Sequence, residues 1–345
     1  LIKKTNQMKH VLKSLIILLV ISFLNSSCKK EENYMEIELI EYDVLINNFS
    51  YNYSWFDNIE GSKRLNLFDL ILKSGLSGNF EIQNIDNVEI KPDEIQSLLN
   101  IEILNDSIKE TITLNSNKLN GLRFREKWEI NTKTSEITKT VIAICPLYFH
   151  KHILLENDKN EVFPIFWIFP NSELKSNDKY NLTDKIAFDV IIDNTNHLIT
   201  DTYGNKNEFF FHNIEVSNRN NLVSIIFDAA TNKHTKSYDF FFNELSDNEI
   251  KQTLIRNESV SIPDTQNIGL FIDQNIEIEI EKSDIQRIKF IEKWEIDKES
   301  LQFTKQVIAI SPAYMVFGNN AEFRGFKSMF WLLFNEKEKK NMIFE

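Results

Sequence analysis

Glu126 and Trp128 stand two residues apart in Glu126-Lys127-Trp128-Glu129-Ile130, and the pair recurs as Glu292 and Trp294 in Glu292-Lys293-Trp294-Glu295-Ile296. These are the residues whose types and spacing could do chemistry. Phe124, Glu126, Trp128 and Ile130 alternate with Arg125, Lys127 and Glu129, a period of two that puts each glutamate on the apolar face of a strand beside its tryptophan. An ionised carboxylate there needs a partner. Two arrangements supply one: a paired carboxylate for acid–base work, or a structural ion pair or hydrogen bond at a sheet edge. Duplication favours the structural arrangement, because folding constraints act on both copies whereas an active site commonly survives in one. Trp167 and Trp331 lie in the aromatic runs Phe163–Phe169 and Met329–Phe334, where they could stack on sugars. Apolar neighbours on both sides favour core packing instead.

The remaining residue types offer less. The chain has no Gly-rich phosphate loop, no His-Glu-x-x-His and no Gly-x-Ser-x-Gly, and its six histidines are scattered. His150-Lys151-His152 could turn two imidazoles to one strand face, but no nearby Cys or third His completes a site, and Lys151 would repel a cation. Cys145 is replaced by Ser311 in the second copy and reads as a small buried filler. The expectation is therefore no catalytic residue, no metal and no cofactor.

Composition and charge narrow the partners. Aromatics at 12%, with 27 Phe, provide ample burial potential, and the length suggests two folded units. Residues 1–27 hold Lys3, Lys4, Lys9 and Lys13 and no acid, so removing them takes the net charge from −12 to −16. That balance disfavours nucleic acid and anionic membrane surfaces. The same residues read as a signal peptide: a basic start best proportioned from Met8, an apolar run from Leu15 to Leu24, then Asn25-Ser26-Ser27-Cys28. Small residues before Cys28 resemble the lipidation site of bacterial lipoproteins, with Asn25 in the usual aliphatic place. Cys28 is then the expected anchor to the outer membrane, at its periplasmic face or on the cell surface. Lys30-Glu31-Glu32 resembles a surface-export tag, or is a solvated run in a tether over 28–35.

The elements that position the Glu–Trp pairs come from an internal repeat. Leu122–Tyr148 and Ile288–Tyr314 align without gaps and are identical at 14 of 27 positions. Each block reads as a hairpin: a strand through the Trp, a polar turn such as 131–135, and a returning strand rich in β-branched residues. A third aromatic strand follows through Trp167 or Trp331. Upstream, 65–73 has helical spacing stopped by Gly75, with 238–245 as its expected counterpart, and a second short helix starts at Pro92. The fold class is α+β, with two tandem domains over 36–172 and 184–345, each an antiparallel sheet with one or two short helices, joined by a linker at 173–183.

The block resembles the GldN (PorN) family of gliding-motility and type IX secretion proteins of Bacteroidetes. The residues that carry the likeness are Glu126, Trp128, Pro146 in Ile142-Ala143-Ile144-Cys145-Pro146, and Trp167. Their second-copy equivalents are Glu292, Trp294, Pro312 in Ile308-Ala309-Ile310-Ser311-Pro312, and Trp331. The sequence departs from the family pattern at Thr140 and Gln306, where Arg is usual, and at Ala143 and Ala309, where Gly is usual. The resemblance implies a non-catalytic assembly protein whose partners are other secretion or motility proteins at the outer membrane. Typical members have one unit and a separate lipoprotein partner; this chain has two units and its own expected anchor. A surface or periplasmic lipoprotein binding a glycan or peptide is the alternative, and exposed aromatic rows would distinguish it.

Overall fold

In the computed structural model, residues 33–46, 59–105, 108–151, 160–174, 179–192, 214–263, 271–317 and 323–338 are described. The leader, Cys28 and most of the expected tether lie outside them. Copy 1 runs β1 (Tyr34–Leu45), α1 (Gly61–Ser77), β2 (Ile82–Gln83), α2 (Pro92–Leu98), β3 (Asn100–Asn105), β4 (Ile108–Thr113), β5 (Gly121–Asn131), β6 (Ile137–Lys151), β7 (Asn160–Pro164) and β8 (Trp167–Ile168). Copy 2 repeats the order. It runs β9 (Lys179–Ile191), α3 (Val216–Thr231), β10 (Ser237–Tyr238), α4 (Asp247–Thr253), β11 (Ile255–Pro263), β12 (Phe271–Glu279), β13 (Ile285–Asp297), β14 (Phe303–Phe317), β15 (Phe323–Ser328) and β16 (Trp331–Leu333).

The duplication is complete at the level of topology. One sheet has the strand order β1-β5-β6-β8-β2 with β7 also on β6, and the other has β9-β13-β14-β16-β10 with β15 also on β14. Each copy adds a separate two-stranded ribbon, β3–β4 or β11–β12. The expected α+β class with two antiparallel sheets is the observed one. The helices recur at a constant offset of 155 residues, Gly61 to Val216 and Pro92 to Asp247, whereas Trp128 and Trp294 are 166 apart. The extra 11 residues fall in the ribbon, which spans 100–113 in copy 1 and 255–279 in copy 2.

The hairpins form as their sequences direct. Asn131 Oδ1 accepts from the backbone N–H groups of Lys133 and Thr134, and Asp297 Oδ1 accepts from Glu299 and Ser300. These Asx turns close on Ser135 and Leu301, both in the left-handed region at φ 61° and 57°. Beyond the turn, the register skips one residue on the returning strand in both copies. Arg125 pairs Ala143 but Glu126 pairs Val141, and Ile291 pairs Ala309 but Glu292 pairs Val307. A β-bulge thus sits beside each glutamate and re-aims the strand there. Pro146 and Pro312 lie within the long returning strands, where neither can donate to the ladder. Their carbonyls accept from Ile165 N–H at 3.2 Å and Met329 N–H at 3.0 Å. Those bonds cross the gap where the expected continuous aromatic strand instead divides into β7 and β8, or β15 and β16.

Three expectations change. Gly75 does not stop the first helix: α1 continues to Ser77 and ends at Gly78, which has φ 75°. Gly75 is instead a close-approach point, because a Cβ there would meet Phe166 Cζ at 3.0 Å. Residues 238–245 are not a helix. Asp239 Oδ1 accepts from Phe241 and Asn243 N–H, and Phe242 takes φ 60°, which makes a tight turn equivalent to 84–88 of copy 1, where Asn84 Oδ1 and Asn87 at φ 61° do the same. The true counterpart of α1 is α3, which buries Leu222, Val223, Ile226, Phe227, Ala229 and Ala230. The expected linker at 173–183 holds a short 3-10 turn at Ser172–Leu174 and then the start of β9 at Lys179.

Candidate functional site

Inward-pointing residues of β5, β6, β13 and β14 meet in a core to which both copies contribute. Phe124 lies 5.2 Å from Trp294 and Trp128 lies 5.2 Å from Phe290, ring centroid to centroid, and both pairs are edge-on. Tyr42 on β1 stacks on Phe188 on β9 at 5.7 Å with the planes 10° apart. Trp128, Trp294, Phe124 and Phe290 are fully buried. Aromatic pairs in these geometries add to what their area burial contributes.

Four charges stand in this aromatic shell. Lys139 of copy 1 approaches Glu292 of copy 2, Nζ to Oε1 2.7 Å, and Lys305 of copy 2 approaches Glu126 of copy 1 at 2.6 Å. All four side chains have 0% exposure, and the quartet is electrically neutral. Each ammonium also lies over the other copy's phenylalanine: Lys139 is 3.4 Å from the Phe290 centroid and Lys305 2.9 Å from that of Phe124. Each carboxylate's second oxygen accepts from its own strand's tryptophan, Trp128 Nε1 to Glu126 at 2.8 Å and Trp294 Nε1 to Glu292 at 2.6 Å. Alternation thus puts the indole N–H of each Trp within hydrogen-bond reach of the Glu two residues before it.

Tyr42 breaks the symmetry. Its hydroxyl donates to Glu126 Oε2 at 2.7 Å and accepts from Lys305 at 3.2 Å and Lys139 at 3.4 Å, filling its one donor and two acceptor positions. Phe188, which faces it, has no hydroxyl to do the same for Glu292. Burial, reinforced by the charges of Glu126 and Glu292, pushes the Tyr42 phenol well above its ordinary value, so it stays a donor. Burial also opposes the Glu126 charge, but Lys305 and Lys139 more than offset it and hold the carboxyl below 4.5. For Lys305 burial prevails: Glu126 and Glu292 raise its pKa, Lys139 lowers it, and it settles at about 8.

The arrangement holds four charges out of contact with solvent. General acid–base work needs a titratable group within hydrogen-bond reach of a reacting molecule, and all four charged side chains are fully buried. A cleft of about 270 Å³ in copy 2 is lined by Glu249, Thr253, Tyr314, Lys327 and Met329 among others, and contains neither Glu126 nor Glu292. Trp167 and Trp331 are 2% and 3% exposed, so neither offers a stacking platform. Trp167 lies under the Arg125 guanidinium at 4.3 Å, and Trp331 stacks on Phe242. Cys145 is buried, and burial pushes its thiol up to about 12, the state of a filler. His150 Nδ1 meets the Tyr148 hydroxyl at 3.1 Å, while His152 lies outside the described residues. No group of three or more metal-binding side chains occurs among the described residues.

Sequence reasoning placed the glutamates and tryptophans on one buried face but missed Lys139, Lys305 and Tyr42. The signal for the lysines was present. Both copies carry Thr-Lys at the same place in the repeat, and the alternation Ile137, Lys139, Val141 puts the lysine on the apolar side.

Fold and site together define a duplicated α+β protein whose motif residues build a core shared by its two repeats. The chain belongs to the GldN family: the family described as gliding motility associated protein GldN matches residues 4–176 and again residues 189–344. No curated protein matches the sequence.

Two predictions follow from the quartet. Removing one member of a buried pair strands its partner, so Lys305→Met should cost roughly 3–5 kcal/mol. Adding Glu126→Gln to it should recover part of that loss, although the residues lie in different copies. A urea-denaturation double-mutant cycle reads the coupling, and simple additivity would refute it. The pH dependence has a definite sign. Because the folded pKa of Glu126 lies below 4.5, the stability it contributes is complete above 4.5 and is lost as pH falls through the folded value. Urea midpoints measured from pH 7 downward should fall across that interval, and less steeply in Glu126→Gln.

Proposed function

We propose that this chain is a non-catalytic assembly component, or a paralogue of one, in gliding motility or type IX protein secretion, carried as a lipoprotein at the outer membrane. The observation that carries the non-catalytic reading is the sealing of the duplicated Glu–Trp motif, whose carboxylates are spent on lysines and indoles within the core. Family membership supports the motility or secretion setting. The leader pattern ending at Cys28 supports export and anchoring, and the acidic balance supports protein partners over nucleic acid.

Such a protein acts through surface contacts. The longer copy 2 ribbon offers one, with Phe271 and Ile272 at 67% and 50% exposure on β12. Exposed apolar side chains grouped in this way are common at protein–protein contacts.

Crosslinked immunoprecipitation from native membranes tests the reading. The wild-type chain should bring down outer-membrane secretion or motility proteins, and Cys28→Ala should lose membrane association and reduce that recovery. A clean precipitation containing none of those proteins would count against the proposal.

A further inference from the structure

Each copy brings the same half of the shared core. Phe124, Glu126, Trp128 and Lys139 recur with identical spacing as Phe290, Glu292, Trp294 and Lys305. Both short ion pairs run from one copy to the other, as do the closest lysine-to-ring contacts and both 5.2 Å aromatic pairs. The hairpin turns extend the exchange. Ser135 Oγ donates to the Ile225 carbonyl of α3 at 3.2 Å, Thr235 Oγ1 to the Thr134 carbonyl at 2.6 Å, and Asn171 N–H to the Ser300 carbonyl at 2.9 Å. A unit alone would present an aromatic face carrying one indole-bound carboxylate and one ammonium whose ion-pair partners lie in the other unit, so separation gives up both pairs and exposes the aromatic layer to water. The face that carries them therefore fits a surface with the same spacing of Phe, Glu, Trp and Lys.

We infer that this face is a pairing surface for a second unit of the same kind, and that the two units of this chain hold each other without needing the peptide connection between them. The inference goes beyond the proposed function and does not depend on it. The partner chemistry is specific: a carboxylate two residues before a buried Trp, and a lysine eleven residues after it, presented across an aromatic layer. Tyr42 adds the hydroxyl that ties Glu126 to both lysines.

A site for a sequence-specific protease placed between Leu174 and Lys179 of the otherwise intact chain tests this. After cleavage under native conditions, size-exclusion chromatography with mass measurement should show one particle with the mass of the uncut chain at micromolar concentration. Lys305→Met should weaken fragment association by on the order of a hundredfold or more. Tyr42→Phe, which makes the position match Phe188 and leaves the packing intact, should weaken it by about tenfold. Wild-type fragments that separate after cleavage would overturn the inference. So would Tyr42→Phe fragments that hold together as tightly as wild type, a result that stands even if Lys305→Met does not fold.

Discussion

The reciprocal pairs Lys139–Glu292 and Lys305–Glu126 are the constraint on which the rest of the structure depends. Four charges taken wholly out of water are tolerated only if each finds an opposite charge in good geometry and the remaining polar atoms are satisfied. The surrounding features supply opposite charges and further polar partners. The bulges beside Glu126 and Glu292 set where the carboxylates point, the indoles of Trp128 and Trp294 fill their second oxygens, and phenylalanine rings lie under the ammonium groups. Apolar substitutes of similar volume are often as stabilising as a buried ion network. What charges add is selectivity, because a slip of one residue in either hairpin would turn a lysine or a glutamate to the wrong face.

The duplicated motif takes its meaning from this arrangement. In one strand, Glu-x-Trp looks like a carboxylate held ready beside an aromatic platform. In the folded chain the platform is an indole N–H donor and the carboxylate is one of four mutually neutralised charges. The same residues are present twice because each copy completes the other. Tyr42 opposite Phe188 shows that the copies have since diverged within the core without losing the exchange.

Much of this was legible in the sequence, and the limits were physical. Alternation gave the face on which Glu126 and Trp128 lie, because the period of a strand is fixed by its pleat. It could not say what that face meets, since the partner of Glu126 is 179 residues away at Lys305. Helix α3 was hidden by the polar Ser217-Asn218-Arg219-Asn220-Asn221 at its start, although Leu222, Val223, Ile226 and Phe227 carry helical spacing. The aromatic run at 240–242 suggested a helix, but Asp239 offered the backbone an Asx turn that the sequence pattern does not weigh against it. Gly75 was read as a terminator when its role is to admit Phe166. A glycine needed for close approach and one needed for a left-handed turn look alike until the neighbour is known.

One cooperative core spans both copies. Native-state hydrogen exchange resolved along β5, β6, β13 and β14 tests it most directly, because amides that open together share one opening free energy. The slowest amides of the two hairpins should exchange with the same free energy and the same denaturant dependence, and Lys305→Met should lower both equally. Distinct opening free energies for the two hairpins, with Lys305→Met lowering only that of β13 and β14, would contradict the account.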